Sequence, residues 1–191
     1  MNAYNDRELF KSMQIQEREY AELLEISKVR NITNGSFYVA EGQIPTKFAF
    51  LLSGLFRYVY IDSKGNEFTK SIITEHNLLV SYSSMLYQKP SHFFIQAIED
   101  AEILEVNYQS WLELQKTNTR WDKFLIAALE KGYCLKEKRE RDLLMLDAET
   151  RYKNFLTEFP GLESRITQQM IASYLGIKPE SLSRIRKKLQ G

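Results

Sequence analysis

Glu180, Ser181, Ser183 and Arg184 can each hydrogen-bond to the edge of a nucleic-acid base. Arginine pairs bidentately with guanine, glutamate accepts from cytosine N4, and serine can do either. Glu180 and Arg184 are four residues apart, so on a helix they stand one turn apart on the same face. Around them Lys178, Lys187 and Lys188 offer cations to a phosphate backbone, and Thr167, Gln168 and Gln169 offer hydroxyl, amide and backbone N–H groups. The competing reading is a solvated helix face with one i,i+4 Glu–Arg pair, worth about 0.3–0.5 kcal/mol.

The elements around these residues favour base reading. The segment from Thr167 to Leu189 has the spacing of a helix-turn-helix. Two helices crossing steeply need a small residue at their contact, and Ala172 supplies it. Four residues later the chain must turn sharply, and Gly176 can take a positive φ there. Leu175 and Ile177 flank the glycine and plug the corner. Pro179 suits the first turn of the second helix, where its missing N–H costs nothing. Leu182 and Ile185, three apart, give that helix its inward face, which leaves the base-reading candidates outward.

Upstream the periodicity changes twice. Within residues 1–30, Leu9, Phe10 and Met13 form one helical face, and Tyr20, Leu23, Leu24 and Ser27 another. From about Val29 to Val106 short aromatic and β-branched runs alternate with turn residues. The runs are Phe37–Val39, Phe48–Leu52, Leu55–Ile61, Phe68–Ile73, Phe93–Ile98 and Ile103–Val106, which suggests an antiparallel sandwich or barrel. Helical spacing returns at Tyr108–Lys116 and over Thr119–Leu146, a helix of roughly 40 Å at 1.5 Å per residue. Trp121, Leu125, Ala128, Gly132 and Leu135 lie along one stripe of it. That stripe outruns a small sandwich, so a dimerisation helix is favoured over a core helix with a solvated face. A last stripe runs through Ala148, Tyr152, Phe155, Leu156 and Phe159 and stops at Pro160-Gly161.

The chain has 191 residues and a net charge of +1. That total hides an asymmetry: residues 178–191 carry a net +4, residues 147–191 a net +3, and the rest −2. The single cysteine, Cys134, excludes an internal disulfide framework and a cluster held by several thiolates. No run of 18 apolar residues occurs, and the polar N-terminus lacks the layout of a secretion signal, so a cytoplasmic protein without a membrane partner is expected. With only His76 and His92 and no carboxylate in ligand spacing, neither a metal site nor a cupin-type enzyme is expected. No catalytic residue and no cofactor is assigned.

Nearly the whole chain resembles the Crp/Fnr family of bacterial transcription regulators. Gly35, Glu41-Gly42, the segment Phe50-Leu-Leu-Ser-Gly54, Arg57 and Gly65 sit like that family's jelly-roll signature. Ala97–Val106 is similar to the closing strand pair and Thr119–Leu146 to the dimer helix. Glu180, Ser183 and Arg184 match a Glu-x-x-Ser-Arg recognition pattern. The resemblance implies an α+β chain in three parts. These are an antiparallel β jelly roll (a double-stranded β-helix) of the cyclic-nucleotide-binding type over 1–118, a dimerisation helix over 119–146, and a helix-turn-helix domain, winged-helix-like, over 147–191. It also implies a homodimer on double-stranded DNA, with RNA polymerase as a further partner.

The departures from that family are informative. Its nucleotide binders carry a Gly-Glu pair for the ribose and an Arg followed by a small residue for the cyclic phosphate. This chain has Val80-Ser81 and Ser91-His92 at those positions. Both charged contacts are missing, and a buried phosphate without its arginine is poorly compensated. The pocket reads as degenerate, with weak or no cyclic AMP binding. A sensor for an unidentified small-molecule effector is the alternative. Phe93, Phe94, Tyr82, Met85 and Tyr87 could line an apolar pocket for one, although filling the core is the favoured reading of these side chains.

Overall fold

The computed structural model describes residues 15–190. Helix α1 (Glu17–Glu25) opens on a capping box, with the Gln16 N–H donating to Glu19 Oε2 at 3.0 Å. Its Leu23 is fully buried, and Tyr20 and Leu24 pack beside it. Ser27, expected on this helix, instead begins the first strand, and its hydroxyl donates to Leu23 O. The expected face of Leu9, Phe10 and Met13 lies outside the described residues.

Eight strands follow: β1 (Ser27–Ile32), β2 (Phe37–Val39), β3 (Lys47–Ser53), β4 (Phe56–Ile61), β5 (Glu67–Ile73), β6 (Leu78–Leu79), β7 (Phe94–Ala97) and β8 (Ala101–Asn107). A short helix, α2 (Tyr82–Leu86), separates β6 from β7. The strands form two antiparallel four-stranded sheets, in the orders β1-β8-β3-β6 and β2-β7-β4-β5, the layers of a jelly roll. Ala49, Leu51, Leu79 and Ile103 of one sheet meet Val39, Phe56, Ile95 and Ala97 of the other. The alternate residues of β3, Phe48, Phe50 and Leu52, face outward under the helices. Burial on both faces is why β3 reads as one continuous apolar run. Between β3 and β4, Gly54 is required by a close approach, since a Cβ there would meet Ala101 Cβ and Asp100 O at 2.7 Å.

Helix α3 (Tyr108–Thr117) is capped by Asn107, whose Oδ1 accepts from Gln109 N and Ser110 N. Helix α4 (Arg120–Met145) then runs 26 residues. Its first turns close the outer core, where Trp111, Trp121 and Phe124 meet edge to face within 6.2 Å. The rest of the chain is helical: α5 (Ala148–Glu158), a 3-10 turn at Leu162–Ser164, α6 (Gln168–Leu175) and α7 (Pro179–Gln190). No strand occurs among the described residues after Asn107, so none of them forms a wing. The core of this helical unit holds Tyr152, Phe155, Ile171, Ala172 and Leu182, and it is shared with Leu55 and Ile72 of the jelly roll. No described helix is long and apolar enough to cross a membrane.

Candidate functional site

Helices α6 and α7 meet as their spacing requires. The Thr167 hydroxyl caps α6 by accepting from Met170 N at 3.2 Å. Ala172 and Leu182 are fully buried at the crossing, and Leu175 lies beneath it. Gly176 ends α6 in the left-handed region at φ 66°, and a Cβ there would crowd Leu143 Cδ2 at 3.2 Å. Pro179 opens α7, whose acidic residue lies in the first turn and whose Lys187 and Lys188 lie in the last.

Glu180, Arg184, Lys187 and Lys188 are exposed on α7, while Ser181 and Ser183 are half-buried. No ion pair joins Glu180 to Arg184 among the described residues; Arg184 instead donates to Ser181 Oγ at 3.3 Å. Two candidate base readers are thus held together on the outward face. Thr167, Gln168, Gln169 and Lys178 are exposed at the mouth of the turn. Lys188 differs from the other lysines, because its ammonium is already paired with Glu149 at 2.5 Å.

The apolar stripe drawn along the long helix needs correction. Trp121 is fully buried in its own chain, and Leu125 and Ala128 are half-buried against the same jelly roll. These residues close the chain's own core, so Trp121 has no surface to offer a partner. Gly132 and Leu135 are exposed. Leu144 and Met145 are open at the C-terminal end of α4, and along its middle Ile126, Leu129 and Tyr133 are open, at 54%, 36% and 67% exposure. At about 100° per residue they lie roughly a third of a turn from the sequence-derived stripe. Periodicity located the face that begins on the chain's own domain, but α4 also carries a second apolar face, and spacing alone does not tell which of two such faces is left open.

At the expected ligand pocket, Ser81 Oγ lies 3.0 Å from Ser91 Oγ, and Ser91 donates onward to Phe93 O at 2.8 Å. His92 is exposed. The Val80 N–H donates to the Tyr58 hydroxyl, which donates across the sandwich to Leu78 O. Burial pushes the Tyr58 phenol up to about 12. Phe93 stacks on Tyr58 with centroids 5.1 Å apart. Tyr82 and Met85 instead border a small apolar cavity, about 30 Å³, beneath α4 with Phe48, Trp111 and Phe124. Phe94 packs on Phe37 with centroids 4.8 Å apart and the rings tilted by 43°, and Tyr87 is exposed. The five side chains therefore do not line one pocket.

Three features were not singled out in the sequence. Lys70 places its ammonium 3.8 Å from the Phe93 centroid and 5.8 Å from those of Tyr58 and Tyr60. Ser173 of α6 bonds the backbone of β5, accepting from Thr69 N at 2.8 Å and donating to Glu67 O at 3.0 Å. Arg165 clamps the helical unit to the jelly roll through Glu75 at 2.8 Å and Glu99 at 2.6 Å. Each joins residues from separate elements and repeats no local motif. Among the described residues, no three His, Cys, Asp or Glu side chains gather as metal ligands.

Comparison with known proteins agrees with this architecture. Residues 29–118 match the family model of the cyclic nucleotide-binding domain. The structure is similar to that of CLP, the c-di-GMP responsive global regulator of Xanthomonas campestris, with a TM-score of 0.76, 16% identity, and 92% of each chain covered. It is also similar to the Thermus thermophilus catabolite activator protein, with a TM-score of 0.58 and 22% identity over 95% of this chain and 86% of the other. A Crp/Fnr family regulator from Eubacterium rectale gives a TM-score of 0.71 and 15% identity over 93% and 84%. No curated protein matches the sequence significantly. Residues 29–118 thus match the cyclic nucleotide-binding domain family, in a chain that shares the fold of solved Crp/Fnr family transcription regulators.

Proposed function

We propose that this protein is a sequence-specific DNA-binding transcription regulator that acts as a homodimer on a pseudo-palindromic site. The observation that carries the reading is the outward face of α7, where Glu180, Ser181, Ser183 and Arg184 stand together next to a net +4 of charge. A recognition helix presents its N-terminal residues to base edges in the major groove, and these four occupy the first two turns. Thr167, Gln168, Gln169, Lys178, Lys187 and Lys188 contact phosphates, which fixes register without reading sequence. The three-part division at 118/119 and 146/147 follows the same reading.

In the dimer, two copies of α4 pair through Ile126, Leu129 and Tyr133, and Leu125 flanks that face. The paired helices set the two recognition helices roughly 34 Å apart, one turn of B-DNA. RNA polymerase is a partner in regulation rather than in DNA recognition. The nucleotide pocket at Val80, Ser81, Ser91 and His92 is degenerate, and the neutral Ser81–Ser91 pair supports that part. The reading in which an unidentified small molecule controls DNA binding is favoured by one observation, the contact of α6 with the jelly-roll edge.

In vitro selection from a random DNA pool with the purified protein tests the proposal. The expected result is an enriched inverted repeat with half-sites about one helical turn apart. Failure to enrich any sequence would overturn it.

A further inference from the structure

Lys70 sits on a β-bulge. Across β4 and β5, Tyr58 pairs with Ser71 and Val59 with Thr69, so Lys70 has no partner opposite it. A bulge re-aims the side chain of its extra residue. Here it turns the ammonium onto the Phe93 ring, between Tyr58 and Tyr60. The ring faces offset part of the cost of taking that charge out of water. Lys136 of α4 adds repulsion.

Thr69, the residue before, faces the other way. β5 is an edge strand, so its outer N–H and C=O groups need partners from elsewhere. The Thr69 N–H donates to Ser173 Oγ at 2.8 Å. Thr69 O accepts from Arg139 at 3.2 Å, and the same guanidinium donates to Tyr174 O at 2.7 Å and lies over the Tyr174 ring. Ser173 and Tyr174 belong to α6, the first helix of the helix-turn-helix. The Thr69 carbonyl and the Lys70 N–H share one rigid peptide plane. A backbone rotation that carries Lys70 out of the rings tilts the carbonyl that holds Arg139 and α6.

We propose that this bulge couples the aromatic cage to the DNA-binding unit: Lys70 seated among Phe93, Tyr58 and Tyr60 holds Thr69 in place to dock α6, and withdrawal of Lys70 loosens α6. Its consequence for DNA rests on the function proposed above. The docking itself is a contact within the chain, whatever α6 and α7 bind.

Amide hydrogen exchange on the full chain, without DNA, separates the two. In Lys70→Glu a carboxylate replaces the ammonium and is repelled by the ring faces. Exchange at Thr69 and along Met170–Leu175 should rise at least tenfold, while Lys70→Met, which keeps an apolar chain on the rings, should stay within twofold of the parent. In a Ser173→Ala background, adding Lys70→Glu should change α6 exchange less than twofold, because the link is already cut. Unchanged α6 exchange in Lys70→Glu, or independent effects of the two substitutions, would overturn the coupling. If Lys70→Glu also loosens β3 and β8, Lys70→Ala, which empties the cage without adding charge, is read by the same criteria.

Discussion

The hydroxyls of Ser81 and Ser91 are 3.0 Å apart, and both side chains are about 1% exposed. Ser91 gives its proton to Phe93 O, so Ser81 is the donor to Ser91, and the small network is closed. Neither hydroxyl is left over as a donor to an anion, and neither carries a charge. A cyclic phosphate placed here would lose its water and gain little in exchange. Isothermal titration with cyclic AMP and with cyclic GMP is expected to show no saturation in the micromolar range. Micromolar binding of either would refute the neutral reading of this pair.

On α7 the side chains divide by their present partners. Arg184→Ala is expected to cost about 1–3 kcal/mol on a selected site and to relax preference at one base pair. Lys187→Ala should weaken binding evenly across sequences and lower the salt slope by about 1. Lys188→Ala should cost less than Lys187→Ala, because Lys188 leaves its ion pair with Glu149 to reach a phosphate. Titrations of each variant at several salt concentrations check the order. An unchanged affinity in Arg184→Ala would remove that residue from base reading.

How much of this was legible follows from where the information sits. Ala172, Gly176, Pro179 and Leu182 encode the helix-turn-helix within one short segment, so local spacing carries it. The runs over β3, β4 and β5 were readable because at least one face is buried. β1 was not among them: Ser27–Ile32 has no fully buried residue, and its place in the sheet is set by its register with β8. β6 is two residues long and leaves no period to detect. The pocket residues were placed through resemblance. Lys70 was not found, since its role depends on a bulge and on rings from β4 and the loop before β7. Ser173 reads as an ordinary polar helix residue until β5 is set beside it.

The two faces of α4 give opposite expectations for substitution. Leu129→Glu and Ile126→Glu put charge on exposed apolar positions, so each should leave the fold intact and lower the dimer fraction in sedimentation. Trp121→Ala removes a fully buried ring that touches Trp111 and Phe124, and should destabilise the chain by about 3–5 kcal/mol. Leu125→Glu mixes the effects, because Leu125 packs partly on its own jelly roll. A fully dimeric Leu129→Glu at micromolar protein would count against this face as the interface.

Lys70 also makes a prediction about pH. Burial, with the nearby charge of Lys136, lowers its ammonium from the ordinary 10.5 to about 8. The folded chain therefore releases this proton before the unfolded chain does. Between about pH 8 and 10.5 the unfolded state binds more protons, so stability from this group rises with pH across that window. Below pH 8 its cost is fully present. Tyr58, held at about 12 by burial, stays neutral throughout and adds no opposing charge. Lys70→Met lacks the titrating group but keeps an apolar chain on the Phe93 ring. Its midpoint in thermal or urea unfolding should exceed that of the parent by most near pH 7, and the gap should narrow toward pH 10. A gap that stays constant from pH 7 to pH 10 would mean that Lys70 titrates as it does in water, and that the rings do not hold it out of solvent.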